Sequence, residues 1–461
     1  MIQSSASLES MILMLSCCYL GIHFSVVFEE LEDEAIIQRI NLFKPNIFFY
    51  NSKIKFNKKI KFELCKFLKF DKKKLNLKGK IKTNYFESNN NFFTLFTSGS
   101  TGNPKGITHS YGGYLLYSKY TCQNQFNMSD KSLVLTGSDA GWINGHTYAL
   151  FGPLSLGATT ILLEKPFMLI DQNFLNKLLK LGVTILYLPV TIIRLMRLNY
   201  KNIKNKYKSL KILGSMGEML AADVAKWYSD FFKINKPIIN TYFQTETGGI
   251  LFSPTYKDNL KKFPHGSVGN VATQSIIFNK LGKNKKEILV KSPWPGLMKE
   301  VINGKKYYKK YWDKNGKFRM FDYGTKINKA IYVHGRVDDI VNIRGHRIGS
   351  GELESIILKI NSVAECAAIS KINKIEGSEF HLFVVSKNKV DNKINDMIIR
   401  YFGIFALPKK IYYLSEMPKT RSGKILRRIL REYLIDNKLI NVGDLSTMLN
   451  KNIIKELRLL R

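Results

Sequence analysis

Acidic residues are scarce in this 461-residue chain: Asp and Glu number 36 against 72 Lys and Arg, a formal charge of +36. Cysteine is scarcer still. Cys17, Cys18, Cys65, Cys122 and Cys366 are odd in number and form no CxxC array, which argues against a disulfide framework or a cysteine zinc cluster and fits a reduced cytoplasm. Only 12 prolines and 32 glycines exclude a collagen-like or linker-like chain, and a 45% hydrophobic content excludes wholesale disorder. Long apolar runs are missing too. The most apolar stretch, Met11–Phe28, is diluted by Ser16, Gly21, His23 and Ser25, and no Lys or Arg precedes it. It therefore lacks the continuity of a membrane span and the basic flank of a signal peptide.

What is abundant is lysine. Such an excess of cations suits a nucleic-acid or anionic membrane surface. The lysines, however, are spread over Lys53–Lys61, Lys69–Lys82, Lys201–Lys211, Lys280–Lys291 and Lys305–Lys317, with no single basic arm. Lys, Asn, Ile, Phe and Tyr, all frequent here, also share A/T-rich codons, so compositional drift accounts for the charge better than a polyanion partner does.

Leu8–Tyr19 has the apolar spacing of a helix ending at Gly21, and Ile22–Phe28 reads as a short buried strand. No strand is expected before that helix. Glu29–Leu42 reads as an amphipathic helix, Asn46–Tyr50 as a strand, and the Lys-rich segment Lys53–Glu87 as a surface excursion. From Phe92 onward short apolar runs end in small or polar residues: Leu95–Gly99, Ser132–Ser138, Ala158–Glu164, Val183–Pro189, Leu210–Gly217 and Pro237–Phe243. Alternating with helical segments, they predict an α/β fold with mostly parallel sheets flanked by helices, whose ligand lies beyond the carboxyl ends of the strands. After Gly266 strands and turns dominate as far as Gly335–Asp339. A smaller α+β unit follows, with a helix from Gly351 and strands at Ala364–Ser370 and Phe380–Ser386. The boundary is placed at Asp338, giving a large unit, 1–338, and a small one, 339–461.

The strongest local motif is Thr97–Gly106, TSGSTGNPKG, directly after the strand-like FFTLF. Glycines let backbone amides approach a polyphosphate, hydroxyls donate hydrogen bonds and Lys105 supplies charge. The GK[ST] ending of a Walker A loop is absent. This segment resembles the signature of the adenylate-forming superfamily, which includes acyl-CoA synthetases, nonribosomal adenylation domains and luciferases. Further signatures follow in order: Tyr242–Gly248 (YFQTETG), Gly335–Asp339 (GRVDD) and Pro418–Lys424 (PKTRSGK). Within the superfamily the chain is most similar to the acetyl-CoA synthetases, through Asp139–His146, Trp294-Pro295, Asn342–Ser355 and Val442–Asn450. The resemblance runs from Met1 to Arg461, and Met1 falls inside the family's N-terminal domain, so an early portion is expected to be absent.

The resemblance implies a two-step ligation. A carboxylate attacks the α-phosphate of MgATP, releasing pyrophosphate; the thiol of coenzyme A then takes the acyl group and AMP leaves. Lys424 is the implied catalytic residue, offsetting charge between carboxylate and α-phosphate, with Glu246 as the magnesium ligand. Thr97, Ser98, Gly99, Ser100, Thr101, Gly102 and Lys105 would wrap the phosphates. Asp322 would accept from both ribose hydroxyls, and Arg336 and Arg347 would contact ribose and α-phosphate. Gly217, Glu218 and Met219, with Asn240, Thr241, Tyr242, Phe243, Gln244 and Thr245, would line adenine and α-phosphate. Coenzyme A contacts fall to Asn144, Arg344, Gly345 and Arg400, the acyl pocket to Ile143, Asn144, Met216 and Phe243, and the hinge to Asp338.

The chain departs from the family pattern at several places. Met320-Phe321 replace a Ser/Thr-Gly pair before the ribose aspartate, Asn144 replaces a threonine and Arg344 a serine. An arginine-glycine run is absent near Asn51–Lys53, where Lys53, Lys55, Lys58 and Lys59 could meet phosphates instead. Phe243 stands where acetate-specific members carry Trp, which admits propionate or another short acid as an alternative substrate. A truncated, inactive nucleotide binder and a nucleic-acid-binding protein are the other readings left open. The expected partners are therefore small molecules (acetate or another short acid, ATP and coenzyme A), with no nucleic acid and no membrane.

Overall fold

The computed structural model describes the chain except residues 30, 32, 51–64, 71–84, 99–103, 202–206, 274–275, 281–285, 292, 303, 338–339, 344–345, 374–376, 421–422, 437–438, 440–444, 446–447 and 461. Five of the six apolar runs read from sequence form one wholly parallel sheet. Its strands lie in the order Ile239–Asn240, Ile212–Met216, Ile185–Pro189, Leu133–Thr136, Thr159–Ile161. These strands are apolar without alternation because helices cover the sheet. Helices Gln172–Leu179, Val190–Asn199 and Ala222–Phe231 pack Leu175, Leu179, Ile193, Met196, Val224 and Tyr228 against Leu135, Leu186, Leu188 and Leu213. Chain order reverses beside Leu133–Thr136, so the carboxyl ends of that strand and of Ile185–Pro189 form the switch point where open α/β sheets place their ligands.

The sixth run belongs elsewhere. Asn91–Ser98 pairs antiparallel with Pro104–Ser110, which pairs with Glu300–Ile302 in a separate three-stranded sheet. Two other expectations also change. A strand, Ile2–Gln3, does precede the first helix, and it is central in a parallel four-stranded sheet with Val26–Val27, Ile47–Tyr50 and Lys66–Lys69. The Lys-rich segment thus contributes a strand, Lys66–Lys69, in register with Ile47–Tyr50. The first helix runs Leu8–Leu20, capped by Ser7, whose Oγ accepts from the Ser10 amide at 3.3 Å. The next helix spans Asp33–Phe43.

Past Gly266 an antiparallel sheet of Ile276–Lys280, Lys286–Val290, Phe318–Ile327 and Ala330–Arg336 completes the large unit. The small unit is built on Val363–Asn373, Gly377–Ser386 and Lys410–Tyr413. Its strands are apolar on both faces, and alternate residues go to different cores. Cys366, Ala368, Leu382 and Val384 pack under helices Ser350–Ile357 and Asp391–Phe402. Ala367, Ile369 and Phe383 pack under Arg427–Ile435 and Ile453–Leu459. Two ion pairs tie this unit together: Lys419 with Glu365, both buried, and Arg427 bidentate to Glu354 at 2.5 and 2.6 Å. Among the described residues no helix is long and apolar enough to cross a membrane.

Candidate active site

The site begins where Ile212–Met216 and Ile239–Asn240 end side by side. Gly217 follows with φ of +89°, a backbone setting that favours glycine, and a Cβ built there would meet nothing within 4 Å. The backbone is thus bare toward open space, as a surface that admits a ligand closely must be. Glu218 pairs with Arg194 at 2.8 Å, and Arg194 also reaches the Met219 carbonyl. The Asn240 and Thr241 side chains are spent inside the fold. Asn240 Oδ1 accepts from Ser215 Oγ and its Nδ2 donates to the Ser267 carbonyl. Thr241 Oγ1 donates to the Ser215 carbonyl at 2.8 Å and faces the Tyr187 hydroxyl at 2.6 Å. Only their backbones are left for a ligand.

Asp322 lies directly opposite Arg336 across the antiparallel pair. Tyr242 donates its hydroxyl to Asp322 Oδ2, Gln244 Nε2 donates to the same oxygen at 2.7 Å, and Arg336 lies 3.8 Å from Oδ1. Burial pushes the Asp322 carboxyl up to about 6 in spite of these partners and of the Lys424 charge, which favours the ionised form. The carboxylate is therefore preorganised on one oxygen. The preceding residue, Phe321, adopts φ of +55°, and its ring lies under the guanidinium groups of Arg319 and Arg336 at 4.8 and 5.6 Å.

The TET turn, Thr245–Thr247, is a short 3-10 helix with a reciprocal Gln244–Thr247 cap. His109 Nε2 holds the Thr245 carbonyl at 2.8 Å, and burial keeps that ring neutral by lowering its pKa to about 4. Trp294 Nε1 donates to the Thr247 carbonyl at 3.0 Å. Glu246 accepts from the Tyr311 hydroxyl at 2.6 Å. Among the described residues no group of three or more His, Cys, Asp or Glu clusters as a metal cage. A single carboxylate suits Mg²⁺, which takes one or two protein carboxylates and otherwise waters and substrate phosphates.

Lys424 stands exposed on a tight turn: its amide donates to Thr420 Oγ1 at 3.2 Å and its carbonyl accepts from the Thr420 amide at 2.8 Å. Its positive charge favours the ionised form of the Asp322 carboxyl, although the two residues are far apart in the chain. Thr97 and Lys105 are partners in the hairpin register that flanks 99–103, and the Lys105 ammonium lies 4.6 Å over the Tyr307 ring. The expected roles of Gly99, Ser100, Thr101, Gly102, Asp338, Arg344, Gly345 and the lysines 53–59 lie outside the described residues. Ser98 and Arg347 are described in backbone only, Arg347 in register with Asn342. Arg400 sits on the exposed face of Asp391–Phe402, its guanidinium 6.0 Å over the Tyr401 ring.

Met216 and Phe243 pack in one cluster with Tyr148, whose ring meets Phe243 edge-on at 5.5 Å, and Ile143 joins Phe243 in the adjoining cluster. Asn144 is buried, and among the described residues neither polar atom of its amide has a hydrogen-bond partner. A π-helix, Gly145–Phe151, starts directly after it, a local widening common at functional sites. Sequence reasoning did not single out Tyr311, Arg194 or His109. Each acts on a partner tens to hundreds of residues away, and only the folded chain brings them together.

A family model described as AMP-binding enzyme matches residues 1–299, and one described as AMP-binding enzyme C-terminal domain matches residues 352–424. The chain belongs to the AMP-binding enzyme family. Relatives in this family include acetyl-coenzyme A synthetase 1 of Debaryomyces hansenii, 35% identical over 79% of this chain and 57% of its own length. The protein of the same name from Kluyveromyces lactis is 32% identical over 94% of this chain and 64% of its own length. Acetyl-coenzyme A synthetase of Leptospira biflexa is 35% identical over 80% of this chain and 60% of its own length. The chain thus spans about three-fifths of the length of these AMP-binding relatives. Solved structures share the fold: an anthranilate CoA ligase in complex with anthranoyl-AMP has a TM-score of 0.83 at 18% identity, covering 94% of this chain and 86% of its own. ATP-bound MatB from Rhodopseudomonas palustris has a TM-score of 0.81 at 19% identity, covering 94% and 88%.

Proposed function

We propose that this chain ligates acetate to coenzyme A at the expense of ATP, through an acetyl-adenylate, giving acetyl-CoA, AMP and pyrophosphate. The observation that carries the reading is that one helix, Val190–Asn199, holds both the loop after Gly217, through Arg194, and the turn before Lys424, through Thr191, while the Lys424 charge is felt at Asp322. The similarity to acetyl-coenzyme A synthetases over most of the chain supports it.

In this reading Asp322, ionised above about pH 6 and steadied by Tyr242 and Gln244, takes the ribose hydroxyls on the oxygen facing Arg336. Gly217 lets the nucleotide lie against the strand end, with Glu218 and Met219 held by Arg194. Thr97–Lys105 meets the β- and γ-phosphates, and Arg347 the α-phosphate. Lys424 supplies the charge that two approaching anions need, worth most where water is excluded. Glu246 would hold Mg²⁺, which neutralises phosphate charge when bound. Ile143, Met216 and Phe243 shape the acyl pocket, with Asn144 placed to donate to the carboxylate or to the thioester-forming group. Arg344, Gly345 and Arg400 would serve coenzyme A. We take 1–338 as the adenylation unit and 339–461 as the mobile unit, hinged at Asp338. All five cysteines are free thiols, which supports a reducing compartment such as the cytoplasm.

A second substrate is favoured by the resemblance at one position: Phe243, resting against Tyr148, is smaller than the tryptophan of acetate-specific members, and Met216 in the same cluster refills only some of that space, so propionate is the alternative acid. Acid-dependent ATP–pyrophosphate exchange on the purified chain tests both readings, with acetate, propionate and butyrate side by side. Exchange with acetate fastest supports the proposal; exchange fastest with propionate moves the substrate. No exchange with any acid from a folded protein would overturn the ligase reading.

A further inference from the structure

Helix Val190–Asn199 starts at the switch point, directly after Ile185–Pro189, and carries Thr191, Arg194 and Arg197 at three-residue intervals, which puts neighbours of the series on one face. Arg194 fixes the loop after Gly217 through Glu218 and the Met219 carbonyl. Arg197 pairs with Asp223 at 2.7 Å and donates to Asn361 Oδ1, in the small unit, at 2.9 Å. Thr191 is 2% exposed, and its hydroxyl donates to the Gly423 carbonyl at 3.2 Å, a contact spanning 232 residues. The approach is close. Gly423 has φ of +83°, and a Cβ built on it would lie 3.1–3.4 Å from the Thr191 side chain.

The residue after Gly423 is Lys424, and the turn that carries it is internally tied by Thr420. One rigid helix therefore fixes the nucleotide loop through Arg194 and the lysine turn through Thr191. We propose that Thr191 is a positioning residue for Lys424: its hydroxyl latches the Gly423 carbonyl and seats the lysine over the nucleotide site. The Arg197–Asn361 contact lies at an exposed rim, where a hydrogen bond competes with water; the Thr191 contact is buried and cannot be replaced by solvent.

The proposal rests on the adenylation reading and makes a selective demand on it. Lys424 is needed where carboxylate and phosphate, both anions, are joined. It is not needed where a thiol attacks the acyl carbon of a preformed adenylate. Among the described residues the Thr191 hydroxyl bonds to the lysine turn, whereas Arg194 holds the nucleotide loop, so loss of the hydroxyl should lower the maximal rate of exchange without weakening ATP binding.

The test compares the full chain with Thr191→Val, which keeps the shape and removes the hydroxyl, and Thr191→Ser, which restores it. Thr191→Val should lower the maximal exchange rate about three- to ten-fold, the usual range for one buried hydrogen bond, and leave the KM for ATP within about two-fold. Coenzyme A-dependent turnover of supplied acetyl-adenylate should be unchanged. Short native digestion with trypsin, read by mass spectrometry at the Lys424–Ile425 bond, should be faster in Thr191→Val by a similar factor, because cleavage follows the undocked population. Thr191→Ser should match the wild type in all four. Equal cleavage of wild type and Thr191→Val overturns the latch whatever the activities. So does a Thr191→Ser variant as impaired as valine, or a fall in both half-reactions together. If the wild type shows no exchange, the adenylation reading fails, and the cleavage rates alone decide the latch.

Discussion

Replacing Asp322 by asparagine should stabilise the fold at neutral pH while abolishing nucleotide use. The carboxyl is buried and titrates at about 6 in the folded chain against an ordinary 3.8. Between those values the unfolded chain sheds the proton and the folded chain keeps it. The contribution of this group to stability is therefore fully present below pH 3.8 and is lost as the pH rises through about 6. At ~1.4 kcal/mol per pH unit the full loss is about 3 kcal/mol. Asparagine mimics the neutral acid: its Oδ1 can accept from Tyr242 and Gln244, and it escapes the desolvation that burial imposes on a carboxylate, giving up only the 3.8 Å contact with the partly exposed Arg336 guanidinium. Urea unfolding of wild type and Asp322→Asn at stepped pH reads the difference directly. It should be roughly half of its full size at pH 5 and complete by about pH 7, with the variant the more stable. The same variant should show no exchange, because asparagine cannot accept two ribose hydroxyls as a carboxylate does. A stability difference that stays flat from about pH 5 to 7, or a variant weaker throughout, would refute the reasoning.

Lys424→Ala should reduce exchange by about 100-fold or more and, by removing a nearby cation, move the Asp322 midpoint above about 6, which NMR titration of the carboxyl would report. Lys419→Met leaves the Glu365 carboxylate buried without its cation and should cost ~3–5 kcal/mol in urea unfolding. The double variant Lys419→Met/Glu365→Leu should recover most of that loss, and a double variant as weak as the single one would show that the pair is not what holds this region. Phe243→Ala should raise the rates with propionate and butyrate relative to acetate, by about 1–3 kcal/mol of discrimination per methylene. An unchanged acid preference would remove Phe243 from the acyl pocket.

The parallel sheet was legible because its strands are buried on both faces and read as unbroken apolar runs between helices. The small unit was legible for the same reason. Ile2–Gln3 escaped because two residues carry no periodicity, and Lys66–Lys69 because two of its four residues are lysines. Asn91–Ser98 was recognisable as a strand, but its partner was not: periodicity reports the conformation of a segment, while pairing depends on tertiary placement. In the candidate site, Glu246, Asp322 and Lys424 could be put forward from the sequence through the family resemblance. Their holders could not. Tyr311 reaches Glu246 across 65 residues, His109 reaches Thr245 across 136, and Thr191 reaches Gly423 across 232. Each is an ordinary-looking residue in its own neighbourhood. The pH behaviour of Asp322 was equally out of reach, because it is set by burial and not by the identity of its neighbours in sequence.

The turn bearing Lys424 is also the last part of the site to be synthesised. By the time Asp322 has left the ribosome, the strand ends at Gly217 and Tyr242 and the TET turn have all been made, yet about 100 residues still separate the chain from its lysine. At ~5–20 residues per second, that interval lasts roughly 5–20 s, long enough for the large unit to fold by itself. Under the proposed function, the nascent protein spends that time with a nucleotide pocket and no means of using what it holds. Turnover is thereby withheld until the lysine turn has been made and helix Val190–Asn199 has a Gly423 carbonyl to hold.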